Sequence, residues 1–312
     1  MVKIEGKIGN IVGIDCGLKY FENTTGICQV ENETVKVHRV FPDLLSKVEV
    51  LKLKMRSVDL VCMDAPLLPM AFPPEPEEIN GMWTSRRAVE TLFSMGKFSK
   101  FCKPGNTRLS APFDGTGKLQ STGHGLRRIG AETANQLLDY LKDDRDIMPQ
   151  VVPGKNMIET FPNLVLGMLL DENDYGQLPP QRAGGGRDKF DRLYDYVFGA
   201  ADHRFVKKLQ AASRVTEHRI WTELEKERDH DKRAALICGL IGILVANGCY
   251  TAIGEKQTGY FFLPPRECWG DWVKEALNDN LKKYFKKNSR KICYWKNGKL
   301  EKELHQNDCE VP

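Results

Sequence analysis

Two stretches decide the fold of this chain: Ile11-Val12-Gly13-Ile14-Asp15-Cys16-Gly17 and Val58-Asp59-Leu60-Val61-Cys62-Met63-Asp64-Ala65-Pro66. Each is an apolar, β-branched run of strand length that ends on an aspartate and then a chain breaker. If the two strands are neighbours, both carboxylates emerge at one edge of one sheet. Two such charges about 4 Å apart repel by roughly 4 kcal/mol at an effective dielectric of about 20. A divalent cation or a shared proton is the usual relief. The pattern therefore points to chemistry at the end of a sheet.

The sequence between and around these runs reads β-β-β-α-β. After the strand over 11–16 come Gly26–Val30 and Thr34–Val40, joined through Glu31-Asn32-Glu33. Pro42-Asp43 opens a helix with Leu44, Leu45, Val48, Leu51 and Met55 on one face. The strand into Asp64 then returns beside the first. Residues 65–80 are rich in proline and glutamate and read as a loop or lid. Ser85 can cap a short helix carrying Arg86, Arg87 and Glu90. Residues 103–130 read as an extended loop, followed by a helix near 131–142. Lys155–Pro162 reads as a short strand ending at Glu159, then a turn. Gly184-Gly185-Gly186 matches no phosphate-binding fingerprint and reads as a connector. Residues 203–228 read as one long polar helix. Ala234–Ala246 is a strongly apolar helix, capped by Asp229 or Asp231 and closed by Asn247-Gly248. A hairpin over Tyr250–Ile253 and Gly259–Leu263 follows.

Composition sets the class. The chain has 312 residues, 41% hydrophobic and 28% charged, as in an ordinary globular protein. No apolar run is long enough to span a membrane, and the start lacks the core of a signal peptide. The nine cysteines are scattered without zinc-like spacing, and several sit in apolar runs. Reduced thiols and a cytoplasmic location are the expectation. A net charge of +4 permits a nucleic-acid partner without requiring one. Residues 281–300 carry eight lysines and arginines and no acid, interleaved with Tyr284, Phe285, Tyr294 and Trp295. Bases alternating with aromatics suit a phosphate backbone and stacked bases. A solvated terminal helix and hairpin with packed aromatics is the plainer reading.

Four acids stand out: Asp15, Asp64, Glu159 and Asp231. The first three end strand patterns, and the fourth begins the apolar helix, where the helix dipole favours negative charge. Glu159 has a second reading as a salt-bridge partner of Arg87 or Arg86. Asp231 has one as a helix cap, and Asp229 is an alternative for its role. Arg87 can clamp a phosphate through its planar fork, and Lys19 can point at one. His124, in Gly123-His124-Gly125, is a candidate proton shuttle.

Three antiparallel strands, acids from two adjacent strands and a late helix are the layout of ribonuclease-H-like folds. The chain resembles the family of predicted ribonuclease-H-like nucleases catalogued as domain of unknown function four-two-nine. The matching pieces are Gly13-Ile14-Asp15, Met63-Asp64-Ala65-Pro66, Arg87 after the lid, Ile158-Glu159-Thr160-Phe161-Pro162 and His230–Cys238. Gly254 and Phe262-Leu263-Pro264-Pro265 complete them, in family order over residues 11–265. Many members carry Asp-Ala at the head of the last helix. Here that position is Ala234 or Ala235, and the nearest acids, Asp229 and Asp231, lie one turn earlier.

The resemblance implies an α/β fold with a ribonuclease-H-like mixed sheet, antiparallel over its first three strands and parallel thereafter, flanked by helices. It implies one domain over 1–265 with a loop-rich insertion at about 65–150, and a basic, aromatic extension over 266–312. It implies a nuclease hydrolysing phosphodiester bonds, with Mg²⁺ or Mn²⁺ held by Asp15, Asp64 and Asp231, Glu159 close by, and Arg87 and Lys19 on the substrate. DNA and RNA are equally open as partners. Two other readings stand beside it. One is a non-catalytic module on the same fold, binding nucleic acid or protein. The other is an actin-like ATPase or kinase, suggested by Asp15-Cys16-Gly17 but lacking a second phosphate loop.

Overall fold

The computed structural model describes the chain apart from residues 1–8, 18–21, 68–77, 80–81, 84–86, 103–121, 144–146, 181–188, 200–202, 214 and 217. Of 78–79, 82–83, 122–125 and 127–128 it describes the backbone alone. Lys19, Ser85, Arg86, Gly184–Gly186 and most of the expected lid lie outside the described residues, as do the side chains of His124, Arg127 and Arg128.

The strands are β1 (Asn10–Asp15), β2 (Thr25–Glu31), β3 (Thr34–Val40), β4 (Leu60–Asp64), β5 (Glu78–Ile79), β6 (Met82–Trp83), β7 (Met157–Glu159), β8 (Thr251–Glu255), β9 (Gly259–Leu263), β10 (Ile292–Lys296) and β11 (Lys299–Leu304). The helices are α1 (Leu44–Leu51), α2 (Ala88–Leu92), α3 (Gly96–Phe101), α4 (Thr122–Leu137), α5 (Pro162–Leu169), α6 (Lys189–Phe198), α7 (Arg204–Ser213), α8 (Ile220–Lys226), α9 (His230–Ala246) and α10 (Asp271–Phe285). Nine strands form one mixed sheet in the order β11-β10-β8-β9-β7-β4-β1-β2-β3, while β5 and β6 pair apart. As the sequence predicts, β1, β2 and β3 are antiparallel, and β4 returns parallel to β1. β7 and β9 continue the parallel run.

Helix α9 is the spine of one face. It is buried on every side from Arg233 to Val245, so its apolar residues show no single stripe. It lies unusually close to the sheet because Gly13 and Gly26 have no side chain. A Cβ on Gly13 would stand 2.4 Å from the Gly239 nitrogen, and one on Gly26 would stand 2.0 Å from the Asp231 carbonyl oxygen. Asp229 caps the helix, its Oδ1 accepting from the Lys232 amide at 3.1 Å. Helices α2, α3 and α10 cover the β8–β9–β10 part of the opposite face through a second apolar cluster that includes Phe93, Phe98, Phe261 and Trp272.

Several local expectations are corrected. Helix α1 stops at Leu51, where Lys52 adopts a left-handed conformation, and Leu45 and Met55 are exposed rather than buried. Helix α4 begins at Thr122, inside the expected loop, because Ile129, Ala134 and Leu137 reach the core and Gly130 fits closely against Ala65 and Pro66. The long polar helix is two, α7 and α8. Ser213 Oγ accepts from the Val215 amide at 3.2 Å and His218 Nδ1 from the Ile220 amide at 3.1 Å, and these side-chain bonds replace the helical ladder at the break.

The basic tail is also built differently from a base-stacking surface. Helix α10 packs on α2 and α3, and β10 and β11 extend the main sheet beside β8. Tyr284, Phe285 and Tyr294 are buried in the second apolar cluster, so these three rings are not presented to a ligand, and Trp295 is half-buried.

Candidate functional site

Strand register builds the site. Asp15 pairs with Asp64 across β1 and β4, Asp15 pairs with Gly26 across β2, and Gly26 pairs with Arg39 across β3. Paired residues on adjacent strands face the same side, about 4.8 Å apart. One cross-strand row therefore reads Asp64, Asp15, Gly26, Arg39. Gly13 and Gly26 face α9, so the whole row does. The bare position at Gly26 lets the first turn of α9 settle over the row, with the Asp231 backbone against Gly26 and its carboxylate near enough to act on Asp15.

The electrostatics follow from burial. Burial, and then the charge of Asp231, push the Asp15 carboxyl up to about 7. Burial, then Asp15 and Glu159, hold Asp64 well above the ordinary carboxylate range. Asp64 Oδ1 is fully buried and has no hydrogen-bond partner among the described residues. Among the described residues, no lysine or arginine is a main influence on either charge, and His230 acts to stabilise both. Both carboxyls are thereby shifted toward the protonated form.

Asp231 is turned elsewhere. Its Oδ2 lies 3.0 Å from Arg39 Nε, while Arg39 Nη1 lies 3.0 Å from Asp229 Oδ2. Arg39 Nε also donates to the Asn23 carbonyl at 2.8 Å. Among the described residues, no three His, Cys, Asp or Glu side chains converge in an arrangement able to hold a metal ion. The expected three-carboxylate set is thus an in-register pair whose third member, near enough for its charge to act on Asp15, is ion-paired with Arg39.

Glu159 does not join the pair. It aligns with Met63, one residue short of Asp64, and so faces the other side of the sheet. There Arg87 binds it in a fork, Nη1 to Oε2 at 2.7 Å and Nη2 to Oε1 at 2.6 Å. The same arginine donates Nε and Nη2 to Glu90 Oε1 at 3.0 and 2.8 Å, and Nη1 to the Thr258 carbonyl at 3.3 Å. Every N–H of the guanidinium is thereby engaged, and Arg87 is only 4% exposed. The expectation that Arg87 clamps a phosphate is corrected on that ground: its five donors are used inside the fold. Burial is the main influence on Glu159 and raises its carboxyl despite Arg87, since one guanidinium faces two carboxylates.

Two residues of the site escape a reading of the sequence. Arg39 reads only as part of a strand. His230 reads only as part of a motif, yet its Nδ1 lies 3.2 Å from Asp191 Oδ2, and its charge bears on Asp15 and Asp64. Its adjacency to Asp231 at the head of the most apolar helix is the signal that could have found it. Arg233 anchors the same turn from the α6 side, with Nη1 to Asp191 at 2.9 Å and Nη2 to Asp195 at 2.8 Å. No helix among the described residues is long and apolar enough to cross a membrane. No protein-family model matches the chain, and no curated protein or solved structure is similar enough to count as a match.

Proposed function

We propose that this chain is a divalent-metal-dependent hydrolase of phosphodiester bonds in nucleic acid, built on a ribonuclease-H-like sheet. The strand order β3-β2-β1-β4 with α9 across it supports the fold reading, with the segment between β4 and β7 as the insertion. The order of the motifs supports the substrate class. One observation carries the site. Asp15 and Asp64 are in register, without an ion-paired lysine or arginine among the described residues, and Asp64 Oδ1 is orphaned.

The residues fit a hard cation. Two adjacent carboxylates supply oxygen donors, and the buried, partnerless oxygen is the kind of group a bound ion satisfies. Asp15 and Asp64 would hold Mg²⁺ or Mn²⁺, with Asp231 as a third oxygen donor. When bound, such an ion supplies an activated water and charge stabilisation at a phosphoryl oxygen. The chain itself gives up the protons held on Asp15 and Asp64, excludes water with α9, and presents His230, oriented through Nδ1 by Asp191, beside the pair. Glu159 acts from the opposite face, as a charge on Asp64 rather than a ligand.

A second reading, a non-catalytic binding module, is favoured by one observation: Asp231 is engaged by Arg39 and no three-residue ligand set forms among the described residues. Calorimetric titration with Mn²⁺ and Mg²⁺, and cleavage of end-labelled DNA and RNA, separate the two. The hydrolase reading expects binding that is lost in folded Asp15→Asn and Asp64→Asn, with cleavage that falls in parallel. Metal binding with no cleavage of any nucleic acid favours the module. No metal binding with or without nucleic acid, in a folded protein, sinks the hydrolase reading.

A further inference from the structure

Resting on the metal-site reading above, we infer that Arg39 is the built-in counter-cation of this site. Its guanidinium engages the Asp231 carboxylate beside Asp15, and a divalent cation on Asp15 and Asp64 must displace it before the third carboxylate can join the pair.

The cross-strand row Asp64, Asp15, Gly26, Arg39 sets the geometry. Gly26 carries no side chain, so the backbone of Asp231 fills the place between Asp15 and Arg39 in that row: its carbonyl oxygen would lie 2.0 Å from a Cβ there, with the Ala235 methyl next at 3.1 Å. Asp231 therefore sits between two options. On one side is a pair of carboxylates that repel it. On the other is a guanidinium that reaches Asp231 and the capping Asp229 together, each at 3.0 Å. Electrostatics alone choose the arginine while no other cation is near. A cation between Asp15 and Asp64 reverses the choice, because it converts repulsion of Asp231 into attraction.

Two features make the contact displaceable rather than permanent. The Arg39 side chain is 38% exposed, and an ion pair that open contributes little net stability and is screened by salt. β3 is the last strand of the sheet, so Arg39 can swing into solvent without disturbing a neighbouring strand. Arg87 on the opposite face, with every donor engaged and almost no exposure, has neither freedom. The orphaned Asp64 Oδ1 is an independent sign that the pair awaits a cation, since Arg39 does not reach it.

The test is Mn²⁺ binding by calorimetry on the full chain, with folding checked by circular dichroism and a thermal melt. Arg39→Gln is expected to bind Mn²⁺ about tenfold more tightly than wild type, the size set by removing a partly exposed competitor. Arg39→Lys, which keeps the charge but not the fork, is expected to fall between them, and it serves in place of Arg39→Gln if that variant does not fold. Asp231→Asn in the Arg39→Gln background is expected to cancel the gain. Lys36→Gln removes an equal charge from the same strand and is expected to change nothing, which excludes a general field effect. Unchanged or weaker binding in folded Arg39→Gln, or a gain that survives Asp231→Asn, overturns the inference. If wild type binds Mn²⁺ through Asp15 and Asp64 while Arg39→Gln matches it, the metal site stands and only the counter-cation falls. If neither protein binds Mn²⁺, the metal site falls and the counter-cation with it.

Discussion

Two groups of carboxylates, one buried and one half-buried, lie one ladder step apart on opposite faces of the same sheet. Glu159 and Glu90 share Arg87, whose N–H groups are all engaged, and the cluster is closed by α2 and the Thr258 carbonyl. Asp15 and Asp64 have no such partner among the described residues: no lysine or arginine is a main influence on either, and Asp64 Oδ1 makes no hydrogen bond there. The first group has its cation built in and reads as architecture. The second lacks one and reads as a place for a cation from outside. Charge pairing, rather than the presence of acids at a strand end, separates structure from candidate chemistry.

The sharpest way to break this comparison is Arg87→Met. It strands two carboxylates in the interior and is expected to cost about 3–5 kcal/mol in urea unfolding. Asp64→Asn, which removes a charge from the unpaired group, is expected to leave stability at pH 8 unchanged or raised. Equal losses in both variants would show that the two groups do not differ in kind.

Next in size is Gly26→Ala. Its Cβ would meet the Asp231 backbone at 2.0 Å, so the first turn of α9 must lift. A loss of about 1–3 kcal/mol is expected from such overpacking, with weaker Mn²⁺ binding by calorimetry. A substitution that is silent in both readouts would remove the close approach from the account of the site.

The third effect is a slope rather than a loss. Asp15, raised from 3.8 to about 7, and Asp64, raised well above its ordinary range, bind protons more tightly folded than unfolded. Between about pH 4 and pH 7 the native state then carries the extra protons, so stability falls as pH rises through that window and levels off above the folded values. This contribution is fully present only below the unfolded carboxylate range. Asp64→Asn is expected to flatten the slope. A wild-type profile that rises over the same window would contradict the raised carboxyls.

The smallest expected effect is that of the ion itself. Mg²⁺ at about ten times its Kd is expected to stabilise the fold by about 1.4 kcal/mol. Binding is also expected to release protons, more of them at pH 6 than at pH 8, and calorimetry in buffers of different ionisation enthalpy reads this directly. Binding without proton release would place the ion somewhere other than the Asp15–Asp64 pair.

The Asp15–Asp64 pair is legible in the sequence because both strands announce themselves by apolar runs that stop on an acid. The start of α9 is legible to within about a turn: the apolar run from Ala234 and a cap at Asp229 or Asp231 mark it, and the structure begins the helix at His230 with Asp229 as cap. Glu159 is visible as an acid at a strand end, but its face is not. β7 is three residues long and buried throughout, so it has no alternation to read, and a shift of one residue in register reverses the face. Arg39 is hidden for a different reason. Its acidic partners, Asp229 and Asp231, lie at the far end of the chain, and a basic residue on an exposed edge strand is ordinary.

The sequence by itself determined the central strands, the spine helix and the two aspartates that meet, because local patterning fixes which segments become strands and where they end. Tertiary structure decided which acids are neutralised and by what. That outcome depends on register and on the missing side chains at Gly13 and Gly26, which set how closely α9 approaches and therefore which charges come within reach of one another.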